Sequence, residues 1–293
     1  MRHSQYEIFV KTAELGSLTK AAETLGLTQS GVSHALAALE ETLSLKLLTR
    51  SRGGAKLTEA GGRMLESVRA VLLAEEALDR TAAGLRGEMS GRVRIGAFTS
   101  VAVHWLPGMM KEFGQRYPNV EFGLSNGDYH DIGEWLKAGS IDLGFVTLPL
   151  DLPGCACAPL MEDRLLAVLP KNHPLAELPC FPIAQFEKEP FISLLESSNH
   201  DARRALELAG VRANVKLTTK DDYAIIAMVE QGLGISILPE LLMMGQTANV
   251  CVKELDVPAR RTIGVAVPEA GAGNPCVMRF VESMQTWLAR REA

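Results

Sequence analysis

Apolar and polar positions in the first part of the chain alternate with a helical period. Ile8, Phe9, Thr12 and Ala13 share one face, and Gly16 ends that run with a residue suited to a left-handed cap. Ser17 stands as the N-cap of a second helix, in which Leu18, Ala21, Ala22 and Leu25 form one stripe. Gly26 closes it, and Thr28 opens a third helix with Val32, Ala35, Leu36, Leu39 and Leu43 turned inward. Two short helices about a tight Gly26-Leu27 turn have the shape of a helix-turn-helix. From Thr58 to about Arg86 there is no proline, and Met64, Val71, Leu78 and Leu85 recur every seven residues, with Leu65, Val68 and Leu72 widening the stripe. That pattern predicts one long helix, suited to a dimerisation coiled coil or to the core of a single domain. Residues 84–91 hold three glycines and read as a hinge.

Beyond the hinge the period changes. Short apolar runs alternate with helical stripes. The strands are Arg92–Gly96, Val120–Leu124, Ile141–Val146, Leu165–Leu169, Phe191–Leu195, Val215–Leu217, Ile235–Pro239 and Thr262–Val267. Between them fall a helix opened by Thr99 and Ser100 and running through Phe113, one carrying Ile132, Trp135 and Leu136, and others over 201–209 and 224–231. A last helix starts at Pro275. Alternation of this kind predicts an α/β domain with a parallel sheet.

Composition adds bounds. The chain has 293 residues, 47% of them hydrophobic and 22% charged, which excludes a disordered chain and suggests two or three domains. The net charge of −5 argues, as an average, against a nucleic-acid binder. Its distribution argues the other way. Lys46, Arg50, Arg52 and Lys56 give +4 over residues 44–58, with no acid in the stretch. Arg52-Gly53-Gly54-Ala55 has the composition of a hairpin tip between two leucine-bearing strands. Residues 1–58 carry seven basic and five acidic residues, net +2, and the remaining 23 basic and 30 acidic residues give net −7. The outward face of the third helix carries Gln29, Ser30, Ser33 and His34, groups that a recognition helix presents to base edges from its first turns. Ser17 and Thr28, at helix starts, are placed to meet phosphates. On its own this face reads equally as a solvated helix surface; the basic hairpin of Arg50, Arg52 and Lys56 beside it favours a wing along the DNA backbone.

The five cysteines, Cys155, Cys157, Cys180, Cys251 and Cys276, form no CxxC and stand at no zinc spacing with a histidine, which fits reduced thiols. Cys155 and Cys157 leave a redox role open, with ordinary loop or core thiols ahead of it, and His104, His130 and His200 are scattered. Asp142, in Ile-Asp-Leu-Gly, reads as structural rather than catalytic. No nucleophile elbow, P-loop or dinucleotide fingerprint occurs, so an enzyme is not expected, nor is a cofactor. No apolar run is long enough for a transmembrane helix and no signal peptide is evident, so the expected location is the cytoplasm. The rival reading, a solute-binding or enzymatic α/β protein with an incidental helical extension, is separated from a DNA-binding regulator by the Thr28–His34 helix and its hairpin.

The N-terminal residues carry a resemblance. Phe9 to Leu25, reading Phe-Val-Lys-Thr-Ala-Glu-Leu-Gly-Ser-Leu-Thr-Lys-Ala-Ala-Glu-Thr-Leu, then Thr28-Gln29-Ser30-Gly31-Val32-Ser33-His34, Leu39-Glu40 and Leu57-Thr58-Glu59-Ala60-Gly61 resemble the LysR-type transcriptional regulators in order and spacing. His34 stands where the family often carries arginine, and Leu48 where it often carries phenylalanine. Gly139 to Gly144 and Gln231 to Pro239 resemble the family's effector-binding domain. The resemblance implies an α/β protein with an N-terminal all-α winged helix-turn-helix over residues 1–58, a linker and dimerisation helix with hinge over 59–89, and a C-terminal two-lobed, type-2 periplasmic-binding-protein-like domain over 90–293. Lobe 1 is then 92–161 plus 267–293 and lobe 2 is 162–266, with two crossover strands. It implies a small-molecule effector, such as a carboxylate, in the cleft between lobes. The contacts expected there are Thr99, Ser100, Thr147, Ser197, Ser198, Asn199, Thr218 and Thr219, although each also reads as a helix or turn cap. Pairing through Met64, Val68, Val71, Leu78 and Leu85 would give a dimer or a dimer of dimers. The partners expected are double-stranded DNA, the effector, further copies of the chain and RNA polymerase, with no membrane.

Overall fold

The computed structural model describes residues 2–51, 54–85, 89–194, 201–246 and 249–292. It divides into two compact units, Met1–Glu88 and Met89–Ala293.

In the first unit, helices α1 (Arg2–Leu15), α2 (Leu18–Leu25) and α3 (Gln29–Leu43) precede a hairpin of β1 (Leu48–Ser51) and β2 (Gly54–Leu57), and α4 (Glu59–Leu85) follows. The boundaries come from local chemistry. Ser17 Oγ accepts the Lys20 N–H and Thr28 Oγ1 accepts the Gly31 N–H, so each caps the helix it precedes. Gly26 adopts φ 65° and returns its N–H to the Ala22 and Glu23 carbonyls, a left-handed stop that a side chain would disfavour. Thr58 accepts from Gly61 N and donates to Lys46 O at 2.6 Å, which fastens the start of α4 to the chain ahead of β1. At Gly61 a β-carbon would fall onto the Leu47 carbonyl oxygen.

Ile8, Phe9, Ala22, Val32, Leu36, Leu39, Leu47, Leu48 and Ala55 make the core, and Val68 of α4 is buried among them. This corrects the dimerisation stripe. Val68, 3% exposed, is spent inside its own unit, and Met64, Leu65 and Leu72 pack against the same core. The expected seam is split because the first half of α4 must cover the open side of a small helical module. Val71 and Leu78 remain 46% and 67% exposed. The side chain of Leu85 lies outside the described residues.

The second unit runs β3 (Gly91–Ala97), α5 (Thr99–His104), α6 (Leu106–Arg116), β4 (Val120–Asn126), α7 (Tyr129–Lys137), β5 (Leu143–Leu148), β6 (Cys155–Pro170), a 3-10 turn at Ile183–Glu187, β7 (Phe191–Leu194), α8 (Asp201–Leu208), β8 (Val215–Thr219), α9 (Asp222–Glu230), β9 (Ser236–Pro239), α10 (Glu240–Met243), β10 (Val250–Glu254), β11 (Arg260–Pro268), α11 (Glu269–Ala272) and α12 (Pro275–Glu292). The expected single helix after β3 is broken at Trp105. Pro107 has no N–H to give and its ring crowds the carbonyl four residues back, so the chain restarts as α6 with proline in its first turn.

The sheet is mixed rather than parallel, which overturns the expectation. β3 pairs in parallel with β4 and β5, and β7 with β8. The ladders made by β6 and β11 are antiparallel. The reason is their length and course. β6 has 16 residues; up to Arg164 it pairs with β11, and from Leu165 onward it pairs with β9 and β10. These two strands therefore run between separate cores. One holds Val93, Ile95, Phe113, Phe145 and Phe280; another holds Leu165, Phe181, Phe186, Phe191 and Ile237; a further one is formed by Val168, Ile192, Ile225, Val229 and Leu242. Asp142 is structural: its carboxylate accepts from Arg94 N at 2.7 Å, Nε at 3.1 Å and Nη2 at 2.6 Å, fixing the chain that leads into β5 beside β3.

Candidate nucleic-acid interface and ligand cleft

In the first unit α3 turns its apolar stripe to the core and leaves Gln29, Ser30 and His34 exposed and Ser33 half-buried. Ser17 and Thr28 are committed as caps, their oxygens accepting the Lys20 and Gly31 N–H groups. Ser30 Oγ lies 3.2 Å from Thr28 Oγ1. The β1–β2 hairpin pairs Thr49 with Lys56 and Arg50 with Ala55, and Lys56 is exposed. Arg52 lies outside the described residues, as does the side chain of Arg50.

Glu40 was not assigned a role from sequence. It falls four residues after Leu36 on the apolar stripe, where a carboxylate survives only if its charge is hydrogen-bonded. It is buried and accepts from Lys46 Nζ at 2.8 Å, Leu47 N at 2.8 Å and Leu48 N at 3.2 Å. Burial alone would push its carboxyl up; the Lys46 ammonium and the two backbone N–H groups outweigh it and hold the group below its ordinary value. Glu40 thus pins the hairpin to the recognition helix. It also neutralises one of the four hairpin cations that the charge pattern had counted.

The second unit has a cavity of about 730 Å³ lined by residues on both sides of the crossing strands, among them Tyr129, Thr147, Leu165, Asp201 and Arg261. Of the residues expected at a cleft, Thr147 lines it, with its hydroxyl buried and without a hydrogen-bond partner among the described residues. Thr99 and Ser100 reach across to other elements instead. Thr99 hydrogen-bonds the Asp222 carboxylate, and the buried Ser100 Oγ accepts from Arg261 Nη2 at 2.7 Å. Thr219 accepts the Asp221 N–H in a local turn, and Thr218 is exposed; neither lines the cavity. Ser197, Ser198 and Asn199 lie outside the described residues.

The centre of the cleft is a residue absent from the sequence-based list. Arg261, on β11, is 4% exposed at its side chain. Its Nε and Nη2 donate to Asp163 Oδ2 at 2.9 and 2.7 Å, and its Nη1 donates to Tyr129 Oη at 2.8 Å. Its guanidinium also stacks 4.9 Å from the Phe98 ring. Burial works against the charge, but the Tyr129, Asp163 and Asp201 oxygens overcome it and hold Arg261 protonated. Tyr129 in turn donates to Asp201 Oδ2 at 2.6 Å. Burial raises the carboxyls of Asp163, Asp201 and Asp222, each partly offset by Arg261. The available signal was a second arginine, Arg261, at the start of an otherwise apolar strand. A guanidinium there must find acids, and only the fold says which.

Among the described residues no group of histidine, cysteine, aspartate or glutamate is arranged to hold a metal, and no helix is long and apolar enough to cross a membrane.

A winged helix-turn-helix carried on the same chain as an α/β domain with a polar cleft defines a class: DNA-binding regulators with a ligand-sensing domain. Comparison with known proteins narrows it. Residues 3–62 match the model of the bacterial regulatory helix-turn-helix proteins of the lysR family, and residues 86–289 match that of the LysR substrate binding domain. The chain is 32% identical over 285 residues to the uncharacterized HTH-type transcriptional regulator YvbU of Bacillus subtilis, covering 96% of this chain and 97% of that one. Full-length OxyR from Pseudomonas aeruginosa shares the fold at a TM-score of 0.72 and 20% identity, over 98% of this chain and 94% of that one. CbnR, solved in complex with its target DNA, does so at 0.70 and 23%, over the whole of both chains. The chain belongs to the LysR family and is a DNA-binding transcriptional regulator with a C-terminal substrate-binding domain.

Proposed function

We propose that this regulator reads duplex DNA with Gln29, Ser30, Ser33 and His34 in the major groove, and holds phosphates with Ser17, Thr28, Arg50, Arg52 and Lys56. The observation that carries this reading is the exposed polar turn of α3 beside a basic hairpin that Glu40 pins in place. The chain is organised as a DNA-binding domain over 1–58, a linker helix and hinge over 59–89, and an effector domain over 90–293 with lobes at 92–161 plus 267–293 and at 162–266. Val71, Leu78 and Leu85 pair two copies, and a dimer of dimers bends the DNA between two sites. It works in the cytoplasm, without enzymatic activity, and its output is passed to RNA polymerase.

The effector is a small carboxylate bound in the cleft beside Tyr129, Thr147 and Arg261. Arg203 and Arg204 line that cavity beside Arg260, paired with Glu162, and Arg261, paired with Asp163, so guanidinium groups are at hand for an anion, and Thr147 offers a hydroxyl with no partner among the described residues. Thr99, Ser100 and Asp222 join the lobes, so a ligand there changes the angle between them. Mobility shifts on the DNA upstream of the protein's own gene test the reading. Ser33→Ala should relax discrimination between specific and random duplexes. Arg50→Ala should weaken binding to every sequence and reduce the salt slope by about one. An unchanged slope removes Arg50 from the phosphate contacts, and no duplex binding at low salt refutes the reading as a whole.

A further inference from the structure

Three acids face one arginine in the cleft, and they are not equally held. Asp163 is 2% exposed, takes two Arg261 N–H groups and accepts the Leu241 N–H at 3.0 Å. It is the fixed counter-ion of the guanidinium. Asp201 is an extra negative charge. Among the described residues its shortest tie is the Tyr129 hydroxyl at 2.6 Å. Its nearest approach to Arg261 is 3.6 Å from Nη1, beyond hydrogen-bond length. Burial pushes its carboxyl up; the Arg261 charge opposes this most, and Arg204 on the same helix adds a smaller attraction. The guanidinium has five N–H groups. Two go to Asp163, one to Ser100 and one to Tyr129, and among the described residues the second proton on Nη1 faces Asp201 at 3.6 Å. Asp201 is 16% exposed and lines the cavity.

We infer that the Asp201 side chain is an internal stand-in for the effector's carboxylate, occupying the Tyr129 hydroxyl and facing the Arg261 Nη1 group at 3.6 Å until an external carboxylate displaces it. This rests on the carboxylate reading of the cleft given above. A free carboxylate can approach both donors closely, whereas Asp201, tethered to α8, comes within 2.6 Å of Tyr129 Oη but only 3.6 Å of Arg261 Nη1. The exchange has a mechanical consequence. Asp201 belongs to α8, which packs on the core of Leu165 and Phe186, whereas Tyr129 belongs to α7 on the core of Ile95 and Phe145. Displacing Asp201 removes one of the ties across the cleft and leaves Arg261–Ser100 and Thr99–Asp222. Occupancy is thereby converted into a looser α8. The cavity beside the polar centre is walled by Leu148, Leu150, Leu165, Val257 and Pro258, so the body that fits behind the carboxylate is compact and apolar.

The full-length protein is titrated calorimetrically with acetate, which supplies the head alone, and with 3-methylbutanoate, which adds a branched apolar body. Asp201→Ala removes the internal competitor, and Asp201→Asn removes its charge while keeping its shape should the first variant fail to fold. Both should bind 3-methylbutanoate about tenfold or more tightly than the wild type, the gain expected when a competitor that fills most of the site is lost. Tyr129→Phe in either background should abolish the gain. Equal affinity in wild type and both variants would overturn the stand-in role while leaving the cleft a carboxylate site. Failure of either carboxylate to bind any of these proteins would overturn that reading as well.

Discussion

Glu40 joins the recognition helix to the wing through one buried carboxylate, and replacing it tests whether the DNA-binding unit depends on that joint. Glu40→Ala strands the N–H groups of Leu47 and Leu48, which stay buried against the core, and frees Lys46. A buried donor left without a partner costs about 1–3 kcal/mol, so two of them set a loss of at least about 2 kcal/mol. With a urea slope of about 1 kcal/mol per molar for a unit of this size, the midpoint should fall by about 2 M. Trp105, Trp135 and Trp287 all lie in the second unit, so tryptophan fluorescence follows that unit alone while far-UV circular dichroism follows both. The variant should therefore lose part of its helical signal early, with its fluorescence midpoint unchanged. The pH dependence carries a sign. The folded carboxyl lies below its ordinary value of 4.5, so its stabilisation is complete above that value and disappears as the pH falls through the lowered value. The gap between wild type and variant should be constant from pH 7 to about 5.5 and close in stronger acid. An unchanged circular dichroism midpoint, or a gap that widens in acid, would refute the reasoning.

Gly61→Ala drives a methyl group onto the Leu47 carbonyl, backbone against backbone, so it should destabilise the first unit by about 1–3 kcal/mol and abolish DNA binding at 37 °C; normal melting would show that α4 can shift there. Asp142→Asn weakens three hydrogen bonds to Arg94, and should lower the fluorescence-detected urea stability by about 1.5–3 kcal/mol without altering the salt dependence of DNA binding. Val71→Glu with Leu78→Glu puts charge on the exposed apolar positions of α4, and sedimentation should show a shift toward monomer with the helical signal retained. Val68→Ala, by contrast, should cost stability, about 1–3 kcal/mol, because that side chain is core.

The amino-acid sequence by itself determined the local elements of the DNA-binding unit. Ser17, Gly26 and Thr28 set helix ends through caps that involve residues at most a turn away, and the i, i+3, i+4 stripe of α2 needs no partner to be recognised. The uneven distribution of charge and the LysR resemblance were readable for the same reason, since both lie in contiguous segments. Tertiary structure decided what depends on residues far apart in the chain. Val68 reads as a coiled-coil position until α1 and α3 are seen to need covering. Only Leu165–Leu169 of β6 reads as a strand, yet Cys155–Pro170 forms one strand passing between separate cores and makes the sheet mixed. Thr218 and Thr219 have the chemistry of ligand contacts but lie away from the cavity. Arg261 has the pattern of a surface arginine, and is buried because Ser100, Tyr129, Asp163 and Asp201, from four other segments, supply the oxygens that let a charge leave water. Capping and periodicity act over a few residues and leave a trace in the sequence, whereas the compensation of a buried charge is arranged only when the distant segments meet.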